Sequence, residues 1–337
     1  MSALALRPLG RTGLEVTSLG LGGAPLGNLF SAVTDEDAQD TLDTAWRHGW
    51  RLFDTAPFYG RGLSEQRFGA FLAGKPRDEF VLSTKVGRVL VPASLPVRDG
   101  HYEDVLPYEI VYDYSADGAK RSLESSLERL GLGRVDIVYI HDVGTDTHGA
   151  EQPRRYREAL DGAWRALSDL RSQGVVKAIG LGVNDWRVCA DLLRDADPDC
   201  FLLAGRYTLL EQGPIAGALF EALEKRGASL VIGGVFNSGI LAGGEGATYD
   251  YKPAPPAIRR RVEALKAVAD EHAVPLAAAA LAFPIAHERV AAIVVGARRA
   301  AEIAENAALA QAPIPGSFWR DLKGRGLLDP RAAVPSA

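Results

Sequence analysis

Residues 135–141 have the sequence VDIVYIH, a short apolar run rich in β-branched and aromatic residues that ends on a histidine. This composition is typical of a buried β-strand. Trp50 to Asp54 and Phe80 to Val86 have the same form, and the second carries Lys85 near its end. The sequence therefore predicts three strands that each present a titratable side chain at the C-terminal end.

Strand-like runs of this kind alternate with helical patterns along the whole chain. Helix signals lie between them: one helix is expected to begin at Thr34 and end before Gly49, and another to begin near Ser115 and stop at Gly131. Strict alternation implies parallel strands, and eight units favour a closed (β/α)₈ barrel over an open sheet. The predicted strands are residues 16–21, 50–54, 80–86, 135–141, 176–181, 200–204, 230–233 and 292–296.

The segments outside this alternation are expected to close the barrel and to shape its rim. Residues 7–14 resemble a hairpin with a glycine-containing turn, which could plug the bottom of the barrel. Residues 87–114 are too long for a plain connection and predict a rim loop that shapes binding. The proline-rich tail from residue 312 predicts irregular structure apart from residues 318–323. We expect residues 1–337 to form one domain.

The bulk composition argues against several classes of function. A net charge of -5 without a block of five like charges argues against nucleic-acid binding. The longest apolar stretch, residues 273–286, is broken by prolines and is shorter than the roughly 18 to 20 residues of a membrane helix. The two cysteines, Cys189 and Cys200, form no CxxC pair, and no signal peptide is recognisable. We therefore expect a cytoplasmic protein that acts on a small molecule without a metal.

Four polar residues at the predicted strand ends could form one proton-transfer site: Asp54, Tyr59, Lys85 and His141. Loops that follow barrel strands gather at one face, where residues distant in sequence become neighbours. A tyrosine has a pKa of about 10, so it works near neutrality only if its phenolate is stabilised. We expect Lys85 to lower that pKa, Asp54 to keep the ammonium charged and aimed, and His141 to orient a substrate oxygen.

Motifs around these residues resemble the aldo-keto reductase family. Residues 53–60 have the sequence FDTAPFYG and look like the family's most specific signature, as does the run from Leu127 to His141. The resemblance extends from about residue 9 to residue 309. It implies that Tyr59 is the general acid/base, that Lys85 and Asp54 tune it, and that a nicotinamide cofactor takes part without a Rossmann domain.

The last predicted strand and helix resemble the family's phosphate- and adenosine-binding segment. Arginines at a helix N-terminus oppose the helix dipole, so Arg298 and Arg299 are better explained if an anion binds there. Relatives that prefer NADP often carry a basic residue where this chain has Glu302, which favours NAD, although the two arginines leave NADP open. The resemblance implies these cofactor contacts: Asn184, Phe236, Ser238, Gly296, Arg298, Glu302 and Asn306.

Two further segments, residues 182–186 and 236–241, resemble the bacterial aldose 1-dehydrogenases of the family, including enzymes that oxidise L-fucose or D-threo-aldoses, and also pyridoxal 4-dehydrogenase. The resemblance implies oxidation of an aldose of the L-fucose, L-galactose or D-arabinose type at C1 to the lactone. Tyr59 would accept the proton of the anomeric hydroxyl. The candidate substrate contacts are Pro25, Phe58, Asp142, Trp186 and Asn237.

Other functions are compatible with the same residues. Pyridoxal, or a general aldehyde or ketone, could be the substrate of the same chemistry. A barrel aldolase would instead use Lys85 as a Schiff-base nucleophile and Tyr59 as proton donor. A regulatory barrel would bind the nicotinamide cofactor without turnover, as the potassium-channel β subunits that resemble this chain do, although the intact set of four residues weighs against it.

Overall fold

The computed structural model describes residues 4–94, 100–243 and 248–335. Within these residues, eight parallel strands close into a barrel in chain order, which confirms the predicted (β/α)₈ fold. A short antiparallel sheet precedes the barrel and another is inserted after its third strand. The strands are β1 Leu6–Pro8, β2 Glu15–Thr17, β3 Leu19–Gly22, β4 Leu52–Asp54, β5 Val81–Val86, β6 Arg88–Pro92, β7 Tyr108–Tyr112, β8 Ile137–His141, β9 Ala178–Val183, β10 Cys200–Ala204, β11 Ser229–Gly233 and β12 Val290–Gly296.

Helices cover the outside of the barrel and begin where the capping residues predict. Thr34 accepts a hydrogen bond from the backbone of Asp37 (3.0 Å), and Ser115 accepts one from Gly118 (3.0 Å). The helices are α1 Asp35–Arg47, α2 Leu63–Leu72, α3 Ala116–Leu130, α4 Thr145–His148, α5 Gln152–Asp161, α6 Ala163–Ser172, α7 Trp186–Asp195, α8 Gly213–Ala216, α9 Leu219–Arg226, α10 Pro256–Glu271, α11 Leu276–Ile285, α12 Ala300–Leu309 and α13 Gly316–Gly324.

The N-terminal hairpin closes the bottom of the barrel, as predicted. β1 pairs antiparallel with β2, and Leu9, Leu14 and Val16 are buried in one cluster with residues of the barrel interior such as Val231. The prediction of one strand over residues 16–21 was wrong, because the run divides at Ser18 into the hairpin strand β2 and the barrel strand β3. Helix α13 contains the element expected at residues 318–323.

The long segment after β5 contains a second hairpin that the sequence analysis did not predict. β6 and β7 pair antiparallel, with Arg88 opposite Tyr112 and Pro92 opposite Tyr108. The side chains of β7 alternate between partly buried and exposed, a period-2 signal that was present in residues 108–112. The hairpin brings Arg88 to the barrel mouth. Part of the connecting loop, residues 95–99, lies outside the described residues.

The hydrophobic core has two layers, one inside the barrel and one between the strands and the helices. Both cysteines are free and buried, as expected of core residues: Cys200 lies in the inner layer and Cys189 in the outer one. Among the described residues, no single helix is long and apolar enough to cross a bilayer. Only α10 and α11 taken together reach that length and composition, and they are bent by 100°.

The strand register brings the predicted site residues to the same end of the barrel. Asp54 at the end of β4 lies opposite Ser83, two residues before Lys85 on β5. His141 at the end of β8 lies opposite Gly182 on β9. A Cβ atom at Gly182 would approach the Lys85 Cε to 3.1 Å, so the glycine leaves room for the lysine inside the barrel. The C-terminal mouth is therefore the place where these side chains converge.

Candidate active site

A buried ion pair lies at the centre of the barrel mouth. The Lys85 Nζ donates to Asp54 Oδ2 at 2.7 Å and to the Thr55 carbonyl oxygen at 3.0 Å. Ser83 Oγ donates to the other carboxylate oxygen of Asp54 at 2.7 Å. The Lys85 side chain is 1% exposed and that of Asp54 is 3% exposed. A pair this deep is held in one geometry by its hydrogen bonds and by the surrounding core.

Tyr59 and His141 lie beside this pair. The Lys85 Nζ is 4.6 Å from the centre of the Tyr59 ring. The rings of Tyr59 and His141 lie edge to face, with their centres 6.1 Å apart. Tyr59 begins the short turn of residues 59–62 that follows β4. The structure thus brings together the four residues that the sequence singled out from three strand ends and one loop.

The expectation that Lys85 lowers the pKa of Tyr59 was wrong for this arrangement. Burial raises the pKa of the Tyr59 phenol well above its usual value, and the negative charge of Asp54 raises it further. The positive charge that lowers the pKa belongs to Arg88. Lys85 forms an ion pair with Asp54 at 2.7 Å. Its effect on Tyr59 is therefore indirect, because it neutralises the carboxylate that raises the pKa of the phenol. The Tyr59 phenol is accordingly protonated at neutral pH.

His141 is held neutral. Burial lowers the pKa of its imidazole to about 3. Its Nε2 lies 3.4 Å from Asp142 Oδ2, and its buried Nδ1 has no hydrogen-bond partner among the described residues. A neutral imidazole has one N–H donor and one acceptor, so it can orient a substrate oxygen without carrying charge into the site.

Two cavities meet at Tyr59. The first, the catalytic cavity, has a volume of about 270 Å³ and is lined by Phe58, Lys85, Arg88, His141 and Asp142 among others. The second, the long groove, has a volume of about 310 Å³ and runs from Gly22 to Glu302 over the ends of β3, β11 and β12. The residues that line both are Ala24, Leu29, Tyr59, Leu202, Ala204 and Tyr251. A molecule in the groove therefore meets one in the cavity beside the Tyr59 phenol.

The comparison with known proteins agrees with this geometry. Residues 18–324 match the sequence profile of the aldo/keto reductase family. The chain belongs to this family. It is 44% identical to pyridoxal 4-dehydrogenase of Microbacterium luteolum, over 97% of this chain and 99% of that protein. It is 42% identical to D-threo-aldose 1-dehydrogenase of a Pseudomonas species, over 92% of this chain and 94% of that protein.

A solved structure shows the same fold in another member of the aldo/keto reductase family. The holo form of an aldo-keto reductase from Bacillus halodurans superposes with a TM-score of 0.74 over 99% of this chain and 98% of that one, at 24% identity. Together with the two dehydrogenase relatives, family membership identifies the chain as an NAD(P)-dependent oxidoreductase. The aldolase and the regulatory barrel are thereby set aside.

The long groove has the features that a dinucleotide requires. Five of the residues predicted to contact the cofactor line it: Phe236, Ser238, Gly296, Arg298 and Glu302. A Cβ at Gly296 would come within 2.7 Å of the Pro25 ring, so only glycine keeps this passage open. The buried Nε of Arg298 has no partner within the described residues, although its Nη2 donates to the Leu29 carbonyl oxygen at 3.0 Å. An arginine with unused donors at a helix N-terminus suits a phosphate.

Two of the predicted cofactor contacts and one predicted substrate contact do not line the cavity where most of their group lies. Asn184 lines the catalytic cavity and not the groove. Asn306 is buried on α12, one turn beyond Glu302, outside the lining of the groove. Pro25 was expected to contact substrate, but it lines the groove beside Gly296, because the turn after β3 folds over β12.

Of the remaining predicted substrate contacts, Phe58 and Asp142 line the catalytic cavity, whereas Trp186 and Asn237 do not. Trp186, at the start of α7, packs its indole over Gly217 and lines a neighbouring cavity that shares Asp146 and Asn184 with the catalytic cavity. The amide of Asn237 is satisfied within the scaffold, since it accepts from Thr208 Oγ1 at 2.6 Å and donates to the Gly205 carbonyl oxygen at 3.1 Å. The Asn237 amide is therefore not available to a substrate.

The sequence analysis missed Arg88 and Tyr251. The β6–β7 hairpin carries Arg88 into the catalytic cavity, where its guanidinium stacks 3.9 Å from the centre of the Phe58 ring and pairs with Asp142. Tyr251 lines both cavities and packs at a tilt against Phe30, with 5.7 Å between ring centres. Arg88 lies three residues after Lys85, and this closeness to a strand end could have indicated that it lies at the barrel mouth. Tyr251 lies in a long irregular loop, where no periodic pattern points to a site.

The ionisation of these groups predicts the pH dependence of turnover. Because the pKa of Tyr59 is raised well above 10 and that of His141 is lowered to about 3, neither group titrates near neutrality. An oxidation that needs Tyr59 as base should therefore have a kcat/KM that rises about tenfold per pH unit from about pH 6 to pH 10, while the reverse reduction stays flat. Initial rates in both directions measure this. An inflection near pH 6.5 that disappears in His141→Gln would contradict it.

Proposed function

We propose that this protein oxidises a cyclic hemiacetal to a lactone with NAD as the preferred acceptor, and that its substrate is an aldose of the L-fucose, L-galactose or D-arabinose type, oxidised at C1. The observation that carries the proposal is the position of Tyr59 where the catalytic cavity meets the long groove, beside a neutral His141. The oxygen to be deprotonated and the carbon to be oxidised can there face both the phenol and the cofactor.

The two dehydrogenases named above support this reaction class, because their substrates share one chemistry. Aldoses exist mainly as cyclic hemiacetals, and pyridoxal closes to a hemiacetal through its neighbouring hydroxymethyl group. Oxidation of either at the hemiacetal carbon gives a lactone. Pyridoxal is therefore the second candidate, favoured by the 44% identity to pyridoxal 4-dehydrogenase. Reduction of a general aldehyde or ketone would use the same residues in reverse.

Residues of this chain can carry out the transfer of the substrate hydroxyl proton. His141 is neutral and donates a hydrogen bond to the substrate hydroxyl, which fixes that oxygen beside Tyr59. Tyr59 accepts the hydroxyl proton in oxidation and returns it in reduction. Lys85 neutralises Asp54, whose unpaired charge would make the Tyr59 phenolate harder to form. When bound, the nicotinamide accepts or supplies the hydride.

The preference for NAD rests on Glu302. Its carboxylate accepts a hydrogen bond from the backbone N–H of Arg298 at 2.9 Å, at the N-terminus of α12. It thus occupies the position at this helix end that favours an anion, and it would repel a second one. Arg298 is partly committed to the Leu29 carbonyl oxygen. We further propose that residues 1–337 form one domain built on this barrel.

A substrate panel tests the proposed reaction. L-fucose, L-galactose, D-arabinose and pyridoxal are each offered with NAD, and formation of reduced cofactor is followed by absorbance. We expect turnover of at least one aldose, and a loss of roughly 10²- to 10⁴-fold in kcat for Tyr59→Phe with cofactor affinity unchanged. Tyr156→Phe, which removes a phenol bonded to Asp195 away from the site, is the matched control and should keep full activity. No turnover of any panel member, or an active Tyr59→Phe, would refute the proposal.

The cofactor preference is tested by changing the charge at Glu302. Glu302→Gln keeps an acceptor for the Arg298 N–H but removes the charge, and Glu302→Arg reverses it. We expect the ratio of kcat/KM with NADP to kcat/KM with NAD to rise about 10-fold in the first variant and more in the second. Glu305→Gln, an exposed change on the same helix, should leave the ratio as it is. If all three variants keep the wild-type ratio, Glu302 does not set the preference.

A further inference from the structure

Arg88 and Asp142 form an ion pair on the wall of the catalytic cavity; their charges act on the pKa of Tyr59 in opposite directions, and neither group exchanges the substrate proton. Arg88, the first residue of β6, donates through Nη2 to Asp142 Oδ2 directly after β8. The two side chains are 11% and 12% exposed. We propose that Arg88 and Asp142 together bind the hydroxyl group on the carbon next to the reacting carbon, and so favour hemiacetals that carry this hydroxyl, as ordinary aldoses do, over pyridoxal and 2-deoxy sugars, which lack it. This inference rests on the proposed function and names its substrate class more narrowly.

The stability of the fold does not explain the pair. Desolvation of two buried charges costs about as much free energy as their attraction returns, so such pairs are weak stabilisers. The buried Nε of Arg88 has no partner among the described residues. Asp142 adopts the left-handed backbone conformation (φ 50°), which is strained for a residue with a side chain. Strain and an unmet donor in one ion pair on a cavity wall indicate a role in binding.

The pair is fixed at a defined distance from the reacting oxygen. The Tyr114 hydroxyl lies 2.9 Å from each of the carbonyl oxygens of His141 and Asp142, which holds the two residues in register. The guanidinium of Arg88 is stacked on the Phe58 ring at 3.9 Å. As a result Asp142 Oδ2 lies 3.4 Å from His141 Nε2. A hydroxyl on the carbon next to the one whose oxygen His141 orients can therefore contact Asp142.

This spacing suits two hydroxyl groups on adjacent carbons. Oxygens on neighbouring carbons lie within hydrogen-bond range of each other, so an oxygen held by His141 places its neighbour against the pair. The Asp142 carboxylate can accept a hydrogen bond from that neighbouring hydroxyl, and the Arg88 guanidinium can donate a hydrogen bond to the hydroxyl oxygen. Because the two charges cancel, the pair favours a neutral hydroxyl and offers no net attraction to an anion such as a phosphorylated sugar.

The inference also separates the two candidate substrates. In an aldose the carbon next to the hemiacetal carbon carries a hydroxyl. In pyridoxal the corresponding ring carbon carries none, and its phenolic hydroxyl lies one carbon further away. The Arg88–Asp142 pair therefore favours the aldose over pyridoxal, although pyridoxal 4-dehydrogenase is the more identical of the two relatives.

The test compares an aldose from the panel with its 2-deoxy analogue in the complete enzyme. For wild type we expect kcat/KM to be roughly 10- to 150-fold higher for the parent aldose, the range that a hydrogen bond to a charged group supplies. In Arg88→Met and Asp142→Asn this ratio should fall towards one, because any change in the pKa of Tyr59 affects both substrates alike and cancels in the ratio. The ratio for the double variant should fall no further than the ratio for either single variant, because both residues contact one hydroxyl.

A matched control removes the carboxylate of an ion pair at the other end of the barrel. Asp199 accepts from Arg171 at 2.8 Å and from the backbone of Ile179 at 2.9 Å, and Asp199→Asn should lower stability without changing the ratio. The double variant, which leaves no buried charge unpaired, replaces any single variant that does not fold. A wild-type ratio near one, or an unchanged ratio in the variants, overturns the inference while aldose oxidation still supports the proposed function. Failure to oxidise any aldose overturns both.

Discussion

The buried ion pair between Lys85 and Asp54 is the constraint around which the site is built. Two opposite charges with almost no exposure are tolerable only when each is held by hydrogen bonds, here to Thr55 and Ser83. Closure of the barrel supplies that setting, because β4 and β5 are in register and Gly182 on β9 leaves space for the lysine. Tyr59 lies against this pair, so its acidity depends on how well the two charges cancel.

The rest of the mouth follows from the position of Tyr59 between two cavities. The long groove takes its shape from the ends of β3, β11 and β12, and its far end is bounded by the N-terminus of α12 with Glu302. The catalytic cavity takes its shape from the inserted hairpin, which adds Arg88, and from the strained residue Asp142. The proposed proton-transfer residues thus lie at strand ends and in the loop after β4, whereas the inserted hairpin and the loop after β8 form another part of the cavity wall.

The sequence predicted what depends on periodicity and on strand ends. Apolar runs and helix caps gave the barrel, and strand ends gave Asp54, Lys85 and His141, because both are local signals. It did not give the β6–β7 hairpin with Arg88, or the sign of the pKa shift of Tyr59, which depends on burial and on the cancellation of Lys85 by Asp54.

Side-chain direction was equally out of reach of the sequence. Trp186 and Asn237 lie in rim segments, as expected, but the Asn237 amide bonds within the scaffold and Trp186 lines a neighbouring cavity; only tertiary packing decides these positions. The same limit applied to Pro25, whose turn folds towards the groove.

We propose that a cation at position 85 offsets Asp54 and so makes the Tyr59 phenol able to exchange its proton. Chemical rescue tests this proposal most directly. Lys85→Ala leaves a space beside Asp54 into which a small alkylammonium ion can bind, and oxidation of an aldose is measured against the concentration of added ethylamine. We expect a strongly impaired variant whose rate is restored saturably by the amine, with no rescue of Tyr59→Phe. A folded, cofactor-binding Lys85→Ala protein with wild-type activity in the absence of amine would contradict it.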